Sequence, residues 1–217
     1  SLAELQLRQR AAGEGLFTLT PRGVRPHYGA ILYFEPEIDS SRLTIGYDQY
    51  SDPVRRRAME AARDSGEIRL SAPVRLRQYG REGQAGVLLF AAVYRTARLP
   101  MSQAGRENAL AGWVYAPFRT AEFIDRSMIP VDRNLAFRVV DVSENAETQL
   151  LASDGWVEPG EAGEARVLHT VTQQLYGRSW RYDFQHVGPL TSAGMRELQA
   201  TLITGVVASL LLFAVVM

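Results

Sequence analysis

The chain has 217 residues, of which 46% are hydrophobic and 22% are charged, which is the composition of an ordinary globular protein. Basic and acidic residues number 24 each, so the net charge is zero and does not favour nucleic acid as a partner. Cysteine is absent from the sequence, which excludes disulfides and thiolate chemistry. One large domain or two small ones are therefore expected.

The N-terminal part predicts a helix end followed by short extended segments. Residues 1–15 carry a partial apolar stripe that ends in "GEG", which is typical of the end of a longer helix. Strands are expected over 16–20 and 30–34, on either side of the turn "PRG", and a short extended piece over 43–47.

A short capped helix is the clearest local prediction. Asp52 is a good N-cap residue, and Pro53 is suited to the first helical position. The helix is expected to run to about Ser65, with Gly66 in the left-handed conformation that commonly follows a helix end.

Three consecutive arginines follow that helix start, and they do not share one face. On a helical wheel Arg55 falls within the apolar stripe, whereas Arg56, Arg57 and Arg63 fall outside it. An arginine on the inward face must extend back to solvent, pair with an acid or contact a ligand. The apolar stripe consists of Val54, Ala58, Met59, Ala61 and Ala62.

The next segments read as a sheet. Residues 68–76 alternate, and Pro73 among them predicts an edge strand or a bulge. Residues 85–94 are continuously apolar and predict a central strand buried on both faces, and after a polar loop over 95–108 another strand is expected over 109–118. The alternation places Ile68, Leu70, Ala72, Val74 and Leu76 on one face.

A second and smaller set of helices and strands is expected in the C-terminal half. The expected elements are a linking helix over 120–129, a strand over 135–142, a short helix and loop over 143–155, and strands over 165–176 and 178–187 around a turn at Gly177. The fold class is thus α+β, with one lobe over 16–119 and another over 120–190.

Residues 198–217 contain no charged residue, and about 20 apolar residues suffice to span a bilayer. We expect a transmembrane helix that the sequence truncates, so that the chain is part of a longer protein. A buried core helix is the alternative.

Catalytic and metal-binding patterns are not found in the sequence. His27, His169 and His186 have no second ligand at a metal-site spacing, and no phosphate loop or nucleophile elbow occurs. Glu35 and Glu37 flank a proline in a loop and read as solvated charges. We therefore expect a chain that is not an enzyme and that has no cofactor.

The stretches "LTIGYDQYSDPVRRRAMEAARDSGEIRLSAPVRLRQYG", "AGVLLFAAVY", "FRVVDVSENAETQLL" and "LYGRSWRYDF" together resemble the CHASE domain, over about residues 11–185. CHASE domains are extracytoplasmic sensors of membrane receptors, among them histidine kinases of two-component systems, diguanylate cyclases and plant cytokinin receptors. The resemblance implies a long N-terminal helix, two tandem PAS-like lobes and a homodimer in the inner membrane. The membrane-distal lobe would bind a small molecule in the periplasm, and the other lobe would lead into the membrane helix.

The resemblance also implies a ligand site between the capped helix and the sheet. In the plant receptors an acidic residue of this helix contacts the adenine of the ligand, and its position here is Arg55. Ser71 matches a pocket hydroxyl residue in type, whereas Phe90 stands where another hydroxyl is expected. The charge reversal argues against a neutral adenine bound as in plants and favours a ligand with an anionic or acceptor group. The predicted ligand-binding residues are Arg55, Met59, Ser71, Val74, Arg75, Arg77, Phe90 and Gly112.

A second hypothesis belongs to another class of function. The domain would be a ligand-free module that dimerises or docks a periplasmic protein, with Phe90 and its neighbours filling the former pocket. Neither hypothesis names the ligand or the cytoplasmic output domain.

Overall fold

The computed structural model describes residues 18–35, 44–76, 84–122, 135–158, 167–187 and 201–206. The chain divides into two compact units, Ser1–Phe118 and Arg119–Met217. Each unit contains an antiparallel sheet, and helices are few, in agreement with the predicted α+β class. The assignment of the two lobes as PAS-like stays a prediction.

The first unit is built around one central strand. The elements in chain order are a 3-10 turn (Gln49–Ser51), helix α1 (Pro53–Ser65), strands β1 (Arg69–Leu70), β2 (Val74–Leu76) and β3 (Gln84–Tyr94), helix α2 (Gln103–Ala109) and strand β4 (Leu110–Arg119). The central strand β3 pairs antiparallel with β1 and β2 at successive positions along its length, and it also pairs with β4.

Helix α1 has the bounds and caps that its sequence predicts. The Asp52 carboxylate accepts hydrogen bonds from the amides of Val54 and Arg55 at 2.9 and 3.1 Å, and Pro53 occupies the first turn. Gly66 ends the helix with a left-handed φ of 73°, and its amide donates to the carbonyl of Ala62. Both helix ends are thus satisfied locally.

Helix α1 packs its apolar face on the sheet and forms the core of the unit. The side chains of α1 meet those of β2 and β3, and the indole of Trp113 on β4 donates to the carbonyl of Met59 at 2.8 Å. Ala61, predicted within the apolar stripe, is exposed instead. The core cluster consists of Ala58, Met59, Ala62, Leu76, Leu88 and Phe90.

The predicted alternation over 68–76 is wrong in one respect, because a bulge interrupts it. Leu70 pairs with Leu89, whereas Leu76 pairs with Gln84, so the register changes by one residue around Pro73. Leu89 points away from α1, and Leu70 therefore lies on the face of the sheet opposite to Leu76. Proline has no amide for the ladder, which explains the interruption.

Two further expectations for this unit need correction. Strand β3 is central, but Val93 near its end is 42% exposed, so the strand is not buried on both faces throughout. The segment predicted as loop contains α2, whose N-cap Ser102 accepts the amide of Gly105. In the described parts of the first two predicted strands, Thr20 and Ala30 form single bridges to Tyr47 and Asp48.

The second unit contains four strands, β5 (Leu135–Asp141), β6 (Thr148–Ala152), β7 (Val167–Leu175) and β8 (Arg178–His186). They form an antiparallel sheet in the order β6-β5-β8-β7. The short helix predicted over 143–155 is wrong, because β6 pairs as a strand with β5. The pairing of neighbours overrides a local sequence that carries no strong strand signal.

The two faces of this second sheet differ in polarity. On one face Leu135 and Phe184 pack with Leu202, which belongs to the helical residues 201–206. On the other face Asp183 is almost fully buried and accepts hydrogen bonds from Arg138 at 2.9 Å and from Thr170 at 3.0 Å. A bond from Arg181 at 3.1 Å completes this charged network.

The predicted chain ends lie largely outside the described residues. This applies to the N-terminal helix end over 1–15 and to most of the membrane span predicted over 198–217. Within the described residues, no helix combines the length and apolar character needed to cross a membrane.

The charged network of the second unit predicts a dependence of stability on pH. Burial raises the pKa of Asp183, but the hydrogen bonds from Arg138, Thr170 and Arg181 outweigh burial and leave this pKa below its ordinary value. The carboxylate therefore stabilises the fold above about pH 4 and loses that contribution as the pH falls further.

We expect the free energy of unfolding of the second unit, followed by fluorescence of the buried Trp180, to decline on acidification below about pH 4. Asp183→Asn should flatten that decline, whereas Asp154→Asn, at an exposed aspartate, should not. An equal pH dependence in wild type and Asp183→Asn would contradict this assignment.

Candidate functional site

Arg55 in the first turn of α1 is the most unusual charged residue of the first unit. Its side chain is only 6% exposed, as the helical wheel predicts, while the neighbouring Arg57 is exposed. Arg55 shares the buried face of α1 with Ala58, Met59 and Ala62. A guanidinium in such a position must be held by polar groups.

The contacts of the Arg55 guanidinium come from three neighbouring segments. One terminal nitrogen donates to the carbonyl of Arg75 on β2 at 2.7 Å, and the other donates to the Gln49 side chain at 3.5 Å. The guanidinium carbon lies 5.0 Å from the centre of the Tyr47 ring, a cation–π distance. The carboxylate of Asp52 is 3.8 Å from Nε.

The electrostatics around Arg55 favour a negatively charged or acceptor group. Arg75, Gln49 and Tyr47 orient the guanidinium through neutral groups, which leave its charge in place. The N-cap Asp52 offsets part of that charge on the Nε side, and the two terminal nitrogens face neutral acceptors. The arrangement suits recognition of a carboxylate or a similar group.

Asp48 fixes the turn that carries Gln49, and it is not among the residues predicted from the sequence. Its fully buried carboxylate accepts the amides of Gly29 at 2.7 Å and Tyr50 at 3.2 Å and pairs with Arg25 at 2.9 Å. The only sequence signal for Asp48 was an aspartate just before a turn. Asp48 thus positions one wall of the site around Arg55.

An aromatic cluster lies on the side of the sheet that α1 covers, the side to which Arg55 also points, and sequence reasoning did not select it. The ring centre of Tyr115 on β4 is 6.0 Å from that of Phe90 and 6.2 Å from that of Phe34. Burial raises the pKa of Tyr115, and the nearby Arg55 partly offsets that increase. The alternation of β4, which places Trp113 and Tyr115 on the face toward α1, could have indicated this residue.

Three of the predicted ligand-binding residues lie in the core beneath Arg55. Met59 is 2% exposed and Phe90 is 0% exposed, and Val74 is half-buried against the same cluster. The structure therefore brings these residues close to one another on the α1 side of the sheet. These residues form the packed base of the site, called its floor below, and do not line an open pocket.

Ser71 lies in the bulge and has a structural use for its hydroxyl. The hydroxyl accepts the amide of Leu88 at 2.9 Å and donates to the carbonyl of Ala72 at 2.7 Å. The residue is fully buried. Ser71 thus supplies the acceptor that a regular ladder would take from the backbone.

The remaining predicted residues are not brought to Arg55 by their side chains. Arg75 contributes its carbonyl, while its side chain is exposed on the other face of the sheet. Gly112 alternates with Trp113 on β4 and therefore lies on the face away from α1, with open space in the direction of a side chain. Arg77 lies outside the described residues.

Among the described residues, no group of three or more histidine and acidic side chains is placed so that it could hold a metal ion. The chemistry that the described site supports is binding through hydrogen bonds, charge and aromatic contact.

The family model described as the CHASE domain matches residues 1–152, which confirms the resemblance found from the sequence. No curated protein matches the chain.

The structural use of Ser71 predicts the effect of its removal. Ser71→Ala should lower the free energy of unfolding by about 1–3 kcal/mol, because the buried amide of Leu88 loses its acceptor. Ser65→Ala, which removes a half-buried hydroxyl whose backbone bonds at the end of α1 are open to solvent, is the matched control and should cost less. Urea unfolding of both variants measures the difference, and equal costs would contradict the structural assignment.

Proposed function

The chain belongs to the CHASE domain family, and on that premise we propose that its first unit binds a small molecule through Arg55. CHASE domains are sensor domains of signalling receptors and are not catalytic. The proposed ligand carries an anionic or acceptor group that the guanidinium of Arg55 recognises.

The observation that carries this proposal is the burial of a cation on the inner face of α1. Burying a guanidinium has a large desolvation cost, and a solvated surface position would avoid it. The bond from Arg55 to Gln49 is long at 3.5 Å and therefore weak, so an oxygen atom of a ligand can replace it. The bond to the carbonyl of Arg75 at 2.7 Å would keep the guanidinium in place.

The same contacts of Arg55 suggest how ligand binding could change the conformation of the first unit. Arg55 joins α1 to β2, so a ligand that competes for the guanidinium changes how tightly these two elements are connected. A ligand shifts a conformational equilibrium only when it binds one state more tightly than the other. We propose that ligand binding in this way favours one arrangement of the lobes in a homodimer held in the inner membrane. The change would pass from the second unit through a membrane helix to a cytoplasmic output domain.

One observation favours a second candidate function. Phe90 is 0% exposed and Met59 is 2% exposed, so the floor of the site is packed in the manner of an ordinary core. A ligand-free module that dimerises or docks a periplasmic protein would have this property. The ligand proposal requires the molecule to bind above this floor, beside Arg55.

Native mass spectrometry of the 217-residue chain, released from detergent micelles, tests the proposal. Wild type should carry a reproducible additional small-molecule mass. Arg55→Gln should lose it, because removing a charge-assisted hydrogen bond weakens binding by about 1.5–3 kcal/mol, or roughly 10- to 150-fold. Arg56→Ala is the matched control, since Arg56 lies over the Tyr50 ring and away from the proposed site.

The result that contradicts the proposal is an additional mass that both arginine variants retain, because the ligand would then bind elsewhere. A dimer with no additional mass in any variant would favour the ligand-free module.

A further inference from the structure

We propose that the hydroxyl of Tyr115 is a second ligand-recognition group beside Arg55, and that the ligand is an aromatic carboxylate. This inference rests on the proposed function and specifies the ligand class of the same site. It concerns a residue of β4 that no sequence motif indicated.

The hydroxyl of Tyr115 differs from those of the other half-buried tyrosines around α1. Tyr94 donates its hydroxyl to the carbonyl of Arg63 at 2.7 Å, and Tyr50 donates to Glu60 at 2.5 Å. Among the described residues, none forms a hydrogen bond with the hydroxyl of Tyr115, whose side chain is half-buried and whose hydroxyl is not sealed from water. A hydroxyl that reaches the surface without a protein partner can donate to an acceptor of a ligand.

The position of Tyr115 ties this hydroxyl to Arg55. The ring of Tyr115 packs on Phe90 in the core, which fixes the strand face that it occupies. The residues before β4 meet the end of α1 through Arg106 and Asp64, and Trp113 meets the middle of α1 at Met59, so β4 runs opposite to α1. Tyr115, two residues beyond Trp113 on the same face, therefore lies toward the first turn of α1, where Arg55 is located. A guanidinium and a phenol hydroxyl on one side of the sheet form a two-point donor set for the two oxygens of a carboxylate.

The number of positive charges favours a carboxylate over a phosphate. Of the other described arginines on or beside α1, Arg56 lies over the Tyr50 ring, Arg57 is exposed, Arg63 pairs with the adjacent aspartate, and the side chain of Arg75 is exposed on the other face of the sheet. The described site therefore offers one guanidinium, already partly offset by the N-cap carboxylate, and one neutral donor. A monoanion matches that set, whereas a phosphate dianion is usually bound by more than one cation or by several backbone amides.

The aromatic side chains favour a flat ring in the ligand. Phe34 is half-buried with its ring centre 6.2 Å from that of Tyr115, at an interplanar angle of 61°. Both rings are half-buried, and a flat ring of a ligand could contact their exposed parts. Since Phe90 is fully buried below, the ligand ring would lie on the side of Tyr115 and Phe34.

Isothermal titration of the 217-residue chain in detergent tests this inference with benzoate, cyclohexanecarboxylate, benzyl alcohol and succinate as probes. Benzoate should bind, cyclohexanecarboxylate should bind at least about tenfold more weakly because it lacks the flat ring, and benzyl alcohol should not bind because it lacks the charge. Tyr115→Phe should weaken benzoate binding about five- to tenfold, the effect of one lost hydrogen bond.

A matched variant separates recognition from stability. Tyr115→Phe should leave the melting temperature of the free protein unchanged, because its hydroxyl bonds no described residue. Tyr94→Phe should lower the melting temperature and leave benzoate affinity unchanged, because its hydroxyl holds the carbonyl of Arg63.

The outcomes separate this inference from the proposed function. Benzoate binding that Tyr115→Phe does not change overturns the role of Tyr115. Absence of benzoate binding overturns the aromatic class, and the proposed function stands if succinate binds and Arg55→Gln abolishes that binding. If no carboxylate binds and wild type carries no small molecule, both the inference and the proposed function fail.

Discussion

The hydrogen bond from the guanidinium of Arg55 to the carbonyl of Arg75 is the contact on which the organisation of the first unit depends. It joins the first turn of α1 to β2, while the same guanidinium reaches Gln49 in the preceding turn and the ring of Tyr47. Removing a buried cation from water is expensive, so the guanidinium needs the bond to the carbonyl of Arg75 and a second acceptor, which is Gln49 or an atom of a ligand. That requirement defines the position of the helix start, and with it the location of the proposed site.

Other buried polar groups hold the segments on which the position of Arg55 depends. Asp48 ties Gly29 and Arg25 to the turn before α1, and Ser71 satisfies the amide of Leu88 where Pro73 interrupts the ladder. Each of these groups would be costly to bury without its partners. The bulge matters for the site, because it places Leu70 and Leu76 on opposite faces and keeps β2 beneath α1.

The features that the sequence predicted well are those that local signals determine. Asp52 and Gly66 mark the ends of α1, and helical spacing alone turns Arg55 inward. The register change at Pro73 and the strand over 148–152 depend on pairing with β3 and β5, which no local pattern encodes. The two groups beside Arg55 that were missed, Asp48 and Tyr115, depend on which segments meet in space. The family resemblance identified the helix but could not supply these contacts.

A crystal structure of the wild-type chain, grown from protein that retains whatever small molecule accompanies it, tests the central claim most directly. The account predicts an acceptor atom of that molecule within about 3.2 Å of a terminal nitrogen of Arg55, in place of the long bond to Gln49. A structure in which Arg55 contacts protein groups alone, with Gln49 still bonded and the molecule absent or bound elsewhere, would contradict it.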